Sequence, residues 1–210
     1  MKQPPFIEAI QKQLAAELPG KKSQEQMAPV PREIPVFSTS KDDSTPAAVL
    51  ILLFPDDDNW LFLLTERSSR VEYHQGQISL PGGAQEAEES LQQTALRETH
   101  EELGIDADSV ALLGSLTPLF IAVSGFMVHP FVAWTDSEPN ITRDSIEVDS
   151  VPLVSTHQLL EPKNILRERK TIRGTEVDVP FFDFGPARVW GATAMILSEF
   201  RQVLSETQLT

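Results

Sequence analysis

Apolar side chains recur along the chain with two different spacings, which divide it into predicted helices and strands. One amphipathic helix is expected near the N-terminus, where apolar residues occupy every fourth position: Phe6, Ile10, Leu14 and Leu18. Residues 20–45 are rich in Lys, Gln, Ser and Pro, so we expect an extended connector there. The sequence therefore predicts an N-terminal helix and connector over residues 1–45, followed by one main domain over residues 46–210.

The apolar runs after the connector are short enough to be strands. Residues 47–54 and 60–65 flank a polar turn, which predicts a β-hairpin. Further strands are expected at residues 110–116, 128–134 and 177–184. Residues 192–204 return to helical spacing. Strands mixed with a few helices indicate an α/β or α+β sandwich.

Composition and charge narrow the class of protein. A chain of 210 residues with 40% hydrophobic residues can bury a substantial core. It has no run of roughly 18 consecutive apolar residues and no secretory pattern, so we expect a cytoplasmic protein without membrane contact. The lack of cysteine excludes disulfides and thiolate nucleophiles. A net charge of -14 argues against general nucleic-acid binding, and a phosphorylated substrate would need metal ions or local arginines to offset the repulsion.

The segment with the clearest local signals is a predicted helix over residues 91–103. Ser90 and Gln93 have the spacing of a capping box, in which each side chain bonds to the backbone of the other residue. Gly104 is the residue type that commonly ends a helix in the left-handed conformation. The helix is therefore expected to begin at Leu91 and to end at Leu103.

The last turns of this helix carry a cluster of carboxylates. Glu98, Glu101 and Glu102 fall within one sector of the helix surface, since successive residues are about 100° apart. Three carboxylates repel one another there, and the helix dipole already disfavours negative charge at that end. A hard divalent cation would offset both costs. For three glutamates alone, however, a solvated acidic face is the more frequent explanation.

The residues around the cluster belong to a longer pattern of fixed spacing: Gly83, Glu89, Arg97, Glu98, Glu101, Glu102, Gly104 and Ile105. This string resembles the Nudix box, although Thr99 stands where that family usually has an aliphatic residue or alanine. The resemblance favours the functional interpretation of the cluster over a solvated face. It implies a Nudix αβα sandwich with a mixed β-sheet, in which a loop-helix-loop holds metal ions.

The resemblance also implies roles for single residues. Glu98 and Glu102 would be the principal ligands of Mg²⁺ or Mn²⁺. Glu101 and the backbone carbonyl of Gly83 would be additional ligands. Arg97 would orient a glutamate of the cluster. The reaction implied is hydrolysis of a pyrophosphate linkage in a nucleoside diphosphate derivative.

Two further roles are left open by the sequence. Glu89 would either pair with Arg97 or touch a metal ion through water. The proton of the attacking water would be accepted either by Glu98 or by Glu147, which precedes residues 151–153 as an acidic residue does in related sequences. The ordinary alternative for Glu147 is a solvated position, which acidic residues next to strands usually have.

Residues before and after the box resemble the coenzyme A pyrophosphatase branch of the family. Residues 63–68 read Leu-Leu-Thr-Glu-Arg-Ser, and residues 151–153 and 190–194 are also similar to that branch. The substrate-binding residues expected from this similarity are Arg67, Arg70, His74 and Gln77. Glu72 stands where the branch usually has arginine, and Leu80 where it usually has phenylalanine.

The leading expectation is therefore metal-dependent hydrolysis of coenzyme A or its thioesters to 4'-phosphopantetheine and adenosine 3',5'-bisphosphate. A second hypothesis keeps the chemistry but changes the substrate to ADP-ribose or another dinucleotide, and a third is a Nudix-like nucleotide-binding module without turnover. Arg67 and Arg70 have an ordinary alternative, which is surface pairing with Glu66 and Glu72. The expected partner is a small nucleotide, and a homodimer is compatible with the sequence.

Overall fold

A computed structural model describes residues 3–30, 43–57, 59–70, 76–172 and 174–207. Its helices are α1 (Pro5–Leu14), α2 (Gly20–Gln24), α3 (Leu91–Leu103), α4 (Thr156–Leu160) and α5 (Gly191–Thr207). Its strands are β1 (Thr45–Asp56), β2 (Asn59–Leu63), β3 (Thr65–Arg67), β4 (Ile78–Ser79), β5 (Gly82–Ala84), β6 (Ala111–Ser115), β7 (Leu119–Ile121), β8 (Phe126–Trp134), β9 (Val148–Ser150), β10 (Leu153–Ser155), β11 (Ile165–Ile172), β12 (Thr175–Asp183) and β13 (Arg188–Trp190). Single 3₁₀ turns lie at Glu25–Met27, Ala107–Ser109 and Pro162–Asn164.

The strands form one large mixed sheet and two small antiparallel ones. The large sheet has the order β10-β2-β1-β8-β6, with β5 paired to β1 and β7 paired to β8. Strands β1 and β8 run parallel, whereas β1 and β2 form the antiparallel hairpin that the sequence predicts. The small sheets have the orders β11-β12-β13 and β4-β3-β9.

The central strand β1 is buried on both faces, and its alternating side chains divide the core into two clusters. Ala48, Leu50, Leu52 and Phe54 point to one side, where they share a cluster with Ala95 and Leu103 of α3. Ile51 and Leu53 point to the other side, into a cluster that also holds residues of α1 and α5. Successive side chains of a strand point to opposite faces, so one strand supports both helical layers. The expected αβα sandwich with a mixed sheet is confirmed.

The N-terminal segment packs more closely on this core than the sequence predicts. Helix α1 forms as expected and stacks the ring of Phe6 on Trp60 of β2 at a centroid distance of 5.6 Å, although it ends at Leu14 rather than near Leu18. The expected extended connector is wrong for residues 20–27, which form α2 and a 3₁₀ turn. Gln24 is buried there and donates through Nε2 to the carboxylate of Glu199 on α5 at 2.9 Å.

Local composition cannot predict such a contact between distant parts of the chain. Among the described residues, no helix is long and apolar enough to cross a membrane.

Candidate active site

Two glycines let the chain pass closely between β1 and α3. At Gly82, φ is 149°, and a Cβ atom would overlap the backbone carbonyl of Ala48 on β1. At Gly83, a Cβ atom would overlap the carboxylate of Glu98 on α3. Strand β5, which contains both glycines, therefore lies directly against the acidic helix because neither residue has a side chain.

Helix α3 begins and ends where its local signals predict. The hydroxyl of Ser90 accepts the N–H of Gln93 at 3.3 Å, and the side chain of Gln93 accepts the N–H of Ser90 at 2.8 Å. Gly104 ends the helix with φ 69°. Thr99 is buried in the helix, where its hydroxyl donates to the carbonyl of Ala95 at 2.7 Å. The threonine that departs from the Nudix pattern thus has its only polar side-chain atom hydrogen bonded.

Arg97 joins three carboxylates of the site. Its Nε and Nη2 atoms donate to Glu89 at 3.1 and 2.9 Å, while Nη1 donates to Glu98 at 2.8 Å and to Glu101 at 2.9 Å. Glu89 also accepts the hydroxyl of Thr94 at 2.8 Å. The hydrogen bonds from Arg97 are the main cause that lowers the pKa of Glu89 to about 2. Of the two arrangements expected for Glu89, the structure has the pair with Arg97.

Glu102 is the most deeply buried carboxylate of the cluster. Only 6% of the residue is exposed, and within the described part of the chain its Oε2 atom has no hydrogen-bond partner. Burial raises the pKa of Glu102 to about 8, with further contributions from the charges of Glu98 and Glu147. The N–H of Gly82 and the charge of Arg67 oppose this rise. A buried, unpartnered carboxylate oxygen is costly unless a cation or a proton compensates it.

Glu98 is held between Arg97 and the other carboxylates. Burial is the largest cause that raises the pKa of Glu98, and the charges of Glu101 and Glu147 add to it, whereas Arg97 lowers it. Glu147 precedes β9, far from α3 in sequence, yet its charge acts on both Glu98 and Glu102. The fold thus brings Glu147 to the cluster, while Glu101 lies at its exposed edge with 56% of its side chain accessible.

The donor atoms fit a hard divalent cation, although their arrangement is not that of a closed cage. In the ranges that the structure describes, no three Asp, Glu or His side chains form a group that could hold a metal ion as they stand. Arg97 engages Glu98 and Glu101, so these side chains would have to turn away from it to share a cation. The unpartnered Oε2 of Glu102 supplies a buried oxygen of the type that Mg²⁺ prefers.

The expected substrate residues that the structure describes lie on β3, in the turn after it and just before β4. The backbone N–H of Arg67 on β3 donates to the carbonyl of Gln77 at 2.9 Å, which sets these two residues side by side. Arg70 is in the following turn and donates through Nη1 to the carbonyl of Ser145 at 3.2 Å. Because Arg67 lowers the pKa of Glu102, its charge is close to the carboxylate cluster. His74 and Glu72 lie outside the described residues.

Residues 142–147 form a loop that joins the end of α3 to the segment with the expected substrate residues. Its backbone N–H groups at Thr142 and Asp144 donate to the carbonyls of Leu103 and Glu102 at the end of α3, each at 2.8 Å. Its carbonyl at Glu147 accepts the N–H of Ser68 at 2.8 Å. The position of this loop depends on pairing between distant segments, so only the acidic residue Glu147 attracts attention in the sequence.

Comparison with known proteins agrees with this geometry. Residues 44–174 match the model of the NUDIX domain. The chain is 37% identical over 182 residues to the chloroplastic Nudix hydrolase 22 of Arabidopsis thaliana, covering 83% of this chain and 57% of that one. It is 35% identical over 133 residues to the peroxisomal coenzyme A diphosphatase ndx-8 of Caenorhabditis elegans, covering 61% of this chain and 55% of that one. The chain thus spans little more than half the length of these two relatives.

Among solved structures, the Nudix hydrolase RenU of M. smegmatis has a TM-score of 0.55 at 17% identity, covering 78% of this chain and 87% of that one. This likeness supports the fold alone.

The chain belongs to the Nudix family. The expected class of enzyme, a Nudix pyrophosphohydrolase, is confirmed. Members of this family generally use divalent metal ions.

Proposed function

We propose that this chain hydrolyses the pyrophosphate linkage of coenzyme A or its thioesters, with Mg²⁺ or Mn²⁺ as the cofactor. The products would be 4'-phosphopantetheine and adenosine 3',5'-bisphosphate. The observation that carries the proposal is the closeness of Arg67, which begins the turn at residues 67–70, to the buried carboxylate of Glu102. In a protein with a formal charge of -14, a substrate diphosphate needs cations at the point where it meets the carboxylates.

The acidic residues have two tasks, which are to hold a cation and to accept a proton. Glu98, Glu101, Glu102 and the carbonyl of Gly83 would hold the cation. A bound divalent ion would neutralise charge on the two phosphates and lower the pKa of a water molecule. The water oxygen forms a bond to one phosphorus while the bridging P–O bond breaks, and the leaving phosphate takes the electron pair. The carboxylate of Glu98 or Glu147 accepts the proton of that water.

The arginines would bind the nucleotide end of the substrate. Guanidinium groups donate several N–H bonds in a plane, a geometry that matches phosphate oxygens. One Nη1 bond of Arg70 goes to the carbonyl of Ser145, which leaves further N–H donors of that guanidinium for substrate. Arg97 has a different part: its bonds gather Glu89, Glu98 and Glu101, and Glu98 and Glu101 would exchange these bonds for the cation.

Two observations support coenzyme A as the substrate. The sequence of residues 63–68 resembles the coenzyme A branch, and one relative is named a coenzyme A diphosphatase. ADP-ribose or another dinucleotide is the alternative, because Glu72 replaces a cation that the branch usually has at this point. The enzyme is proposed to act in the cytoplasm, and a homodimer stays a prediction that sedimentation would test.

A panel of diphosphates tests the proposal. The chain is incubated with Mg²⁺ or Mn²⁺ and, separately, coenzyme A, an acyl-coenzyme A, dephospho-coenzyme A, ADP-ribose and a dinucleoside polyphosphate, and the products are identified by mass spectrometry. We expect coenzyme A or its thioester to have the highest kcat/KM. Preferential cleavage of ADP-ribose would support the alternative substrate, and binding of a diphosphate without any turnover would refute the catalytic proposal.

A further inference from the structure

The loop at residues 142–147 is hydrogen bonded through its backbone both to the acidic helix α3 and to the turn after β3. At one end it bonds to the carbonyls of Glu102 and Leu103, which close the last turn of the acidic helix. At the other end it continues into β9, which pairs with β3 next to the substrate arginines. A movement of this loop would therefore change the distance between the carboxylates and the arginines.

Asp149 is the side chain of β9 that holds the turn after β3. Its Oδ2 atom accepts the N–H of Ser69 at 3.0 Å, next to Arg70 in the chain. The hydrogen bonds from Ser69 and from the hydroxyl of Ser68 are the main causes that lower the pKa of Asp149 below its ordinary value, and Arg70 and Arg143 add to them. Asp149 is thus a carboxylate that is bonded to the backbone just before Arg70, and the charge of Arg70 acts on it.

The pairing of β3 with β9 is irregular beside this turn. The register between β3 and β9 shifts at Glu66 and Arg67, so that Glu66 opposes Ser150 while Arg67 opposes Val148. Such a bulge leaves part of the ladder unpaired and re-aims the side chains beside it. Beyond Arg67 the turn leaves β3, and the bond from Ser69 to Asp149 is a side-chain contact that ties it back to β9.

We propose that Asp149 is a positioning residue that fixes Arg70, and with it the phosphate-binding turn, relative to Glu147 and the carboxylates of α3. The proposal rests on the proposed function, because it takes Arg70 to contact the substrate. Asp149 reaches neither the cluster nor the substrate in this assignment. It acts through its hydrogen bonds from the N–H of Ser69 and the hydroxyl of Ser68, and the charge of Arg70 adds to them.

A double-mutant cycle separates this role from a general effect on folding. Asp149→Ala should lower kcat/KM by about tenfold or more, mainly through KM, since a small displacement of a positioned group can cost up to about a hundredfold. In the Arg70→Ala background the same substitution should change kcat/KM by less than about twofold, because two residues that act through one contact are not additive. Additive losses in the two backgrounds would overturn the proposal.

Two further variants serve as comparisons. Asp149→Asn keeps an oxygen that can accept the N–H of Ser69 but loses the charge on which Arg70 acts, so its kcat/KM should lie between that of the parent and that of Asp149→Ala. Asp183→Ala is the matched control, because Asp183 also accepts a backbone N–H in its own turn, from Gly185 at 3.0 Å. The control should leave kcat/KM unchanged. If it lowers kcat/KM as much as Asp149→Ala does, the positioning role is refuted.

A readout that needs no turnover keeps the test independent of the substrate. Amide hydrogen exchange of Ser69, followed by nuclear magnetic resonance, should be faster in Asp149→Ala by about tenfold or more, because its acceptor is removed. Unchanged exchange at Ser69 would overturn the proposal even if coenzyme A is cleaved. If coenzyme A is not cleaved by the parent, the proposed function fails, and the cycle is run on whichever diphosphate of the panel is hydrolysed.

Discussion

Replacement of Glu102 by glutamine tests the acidic cluster most sharply. Glutamine has the same size, and its carbonyl oxygen can still accept the N–H of Gly82, so the packing around α3 should be retained. What disappears is one buried negative charge, next to Glu98 and Glu147. In the proposed mechanism that charge holds the cation, so turnover should fall by at least about a hundredfold at saturating Mg²⁺.

The same substitution, which should lower turnover, should raise the stability of the metal-free protein at high pH. A pKa that rises from 4.5 to about 8 on folding means that the folded state binds a proton which the unfolded state has lost. The contribution of Glu102 to stability is therefore fully present below its unfolded pKa, 4.5, and is lost as the pH rises through about 8. At about 1.4 kcal/mol per pKa unit, the loss reaches at most about 5 kcal/mol, and relaxation of neighbouring side chains will reduce it.

The assay is chemical denaturation of the parent and of Glu102→Gln in the presence of a chelator, at about pH 5 and at about pH 9. We expect similar free energies of unfolding at the lower pH and a more stable variant at the higher pH, by about 2 kcal/mol or more. Equal stabilities at the higher pH would refute the description of Glu102 as a buried, uncompensated carboxylate. Near-normal turnover of the variant in saturating Mg²⁺ would refute its assignment as a metal ligand.

Three further predictions follow from the same site. Mg²⁺ or Mn²⁺ should raise the Tm of the parent, because a ligand that binds the folded state stabilises it. The metal ions should not raise the Tm of a variant in which Glu98, Glu101 and Glu102 are replaced by glutamine. A Tm of the parent that does not depend on metal would contradict a cation site. Gly83→Ala should lower turnover by about tenfold or more with little change in Tm, since its Cβ displaces the flexible carboxylate of Glu98, and unchanged kinetics would count against that contact. Glu72→Arg should raise kcat/KM for coenzyme A relative to that for dephospho-coenzyme A by roughly 10- to 150-fold. This factor corresponds to about 1.5 to 3 kcal/mol, the typical contribution of a charged hydrogen bond. An unchanged ratio would show that residue 72 lies outside the phosphate site.

The elements that the sequence predicts best are those whose signals are local. Helix α3 begins and ends at the predicted residues because Ser90, Gln93 and Gly104 act within one turn of the helix ends. The hairpin of β1 and β2 is equally local, since its polar turn joins two adjacent apolar runs. In each case neighbouring residues carry enough information to determine the backbone.

The elements that the sequence does not predict depend on distant contacts. Helix α2 is polar, and its buried Gln24 donates to the carboxylate of Glu199, which is 175 residues away, and to the carbonyl of Thr117, which is 93 residues away. Strand β11 contains the charged run at residues 167–170 and becomes a strand by pairing along β12, where Arg167 also binds Asp178 at 3.0 Å. Neither partner can be read from local composition.

The same distinction applies to the site. The carboxylates of α3 and Arg97 share one helix, so their spacing alone predicts that they gather. The approach of Arg67 and Glu147 to that helix requires the small sheet β4-β3-β9 and the loop at residues 142–147. The resemblance to the Nudix family suggested roles for these two residues, whereas the role of Asp149 is inferred only from its hydrogen bond with Ser69 in the structure.

The most direct test of the central claim is the reaction of coenzyme A with the parent chain and Mg²⁺ in water enriched in heavy oxygen. We predict equal amounts of 4'-phosphopantetheine and adenosine 3',5'-bisphosphate, with one heavy oxygen in one of the two products and no reaction in Glu102→Gln. Intact coenzyme A under conditions in which ADP-ribose is cleaved would contradict the proposed substrate. Cleavage of coenzyme A at an undiminished rate by Glu102→Gln would contradict the proposed site.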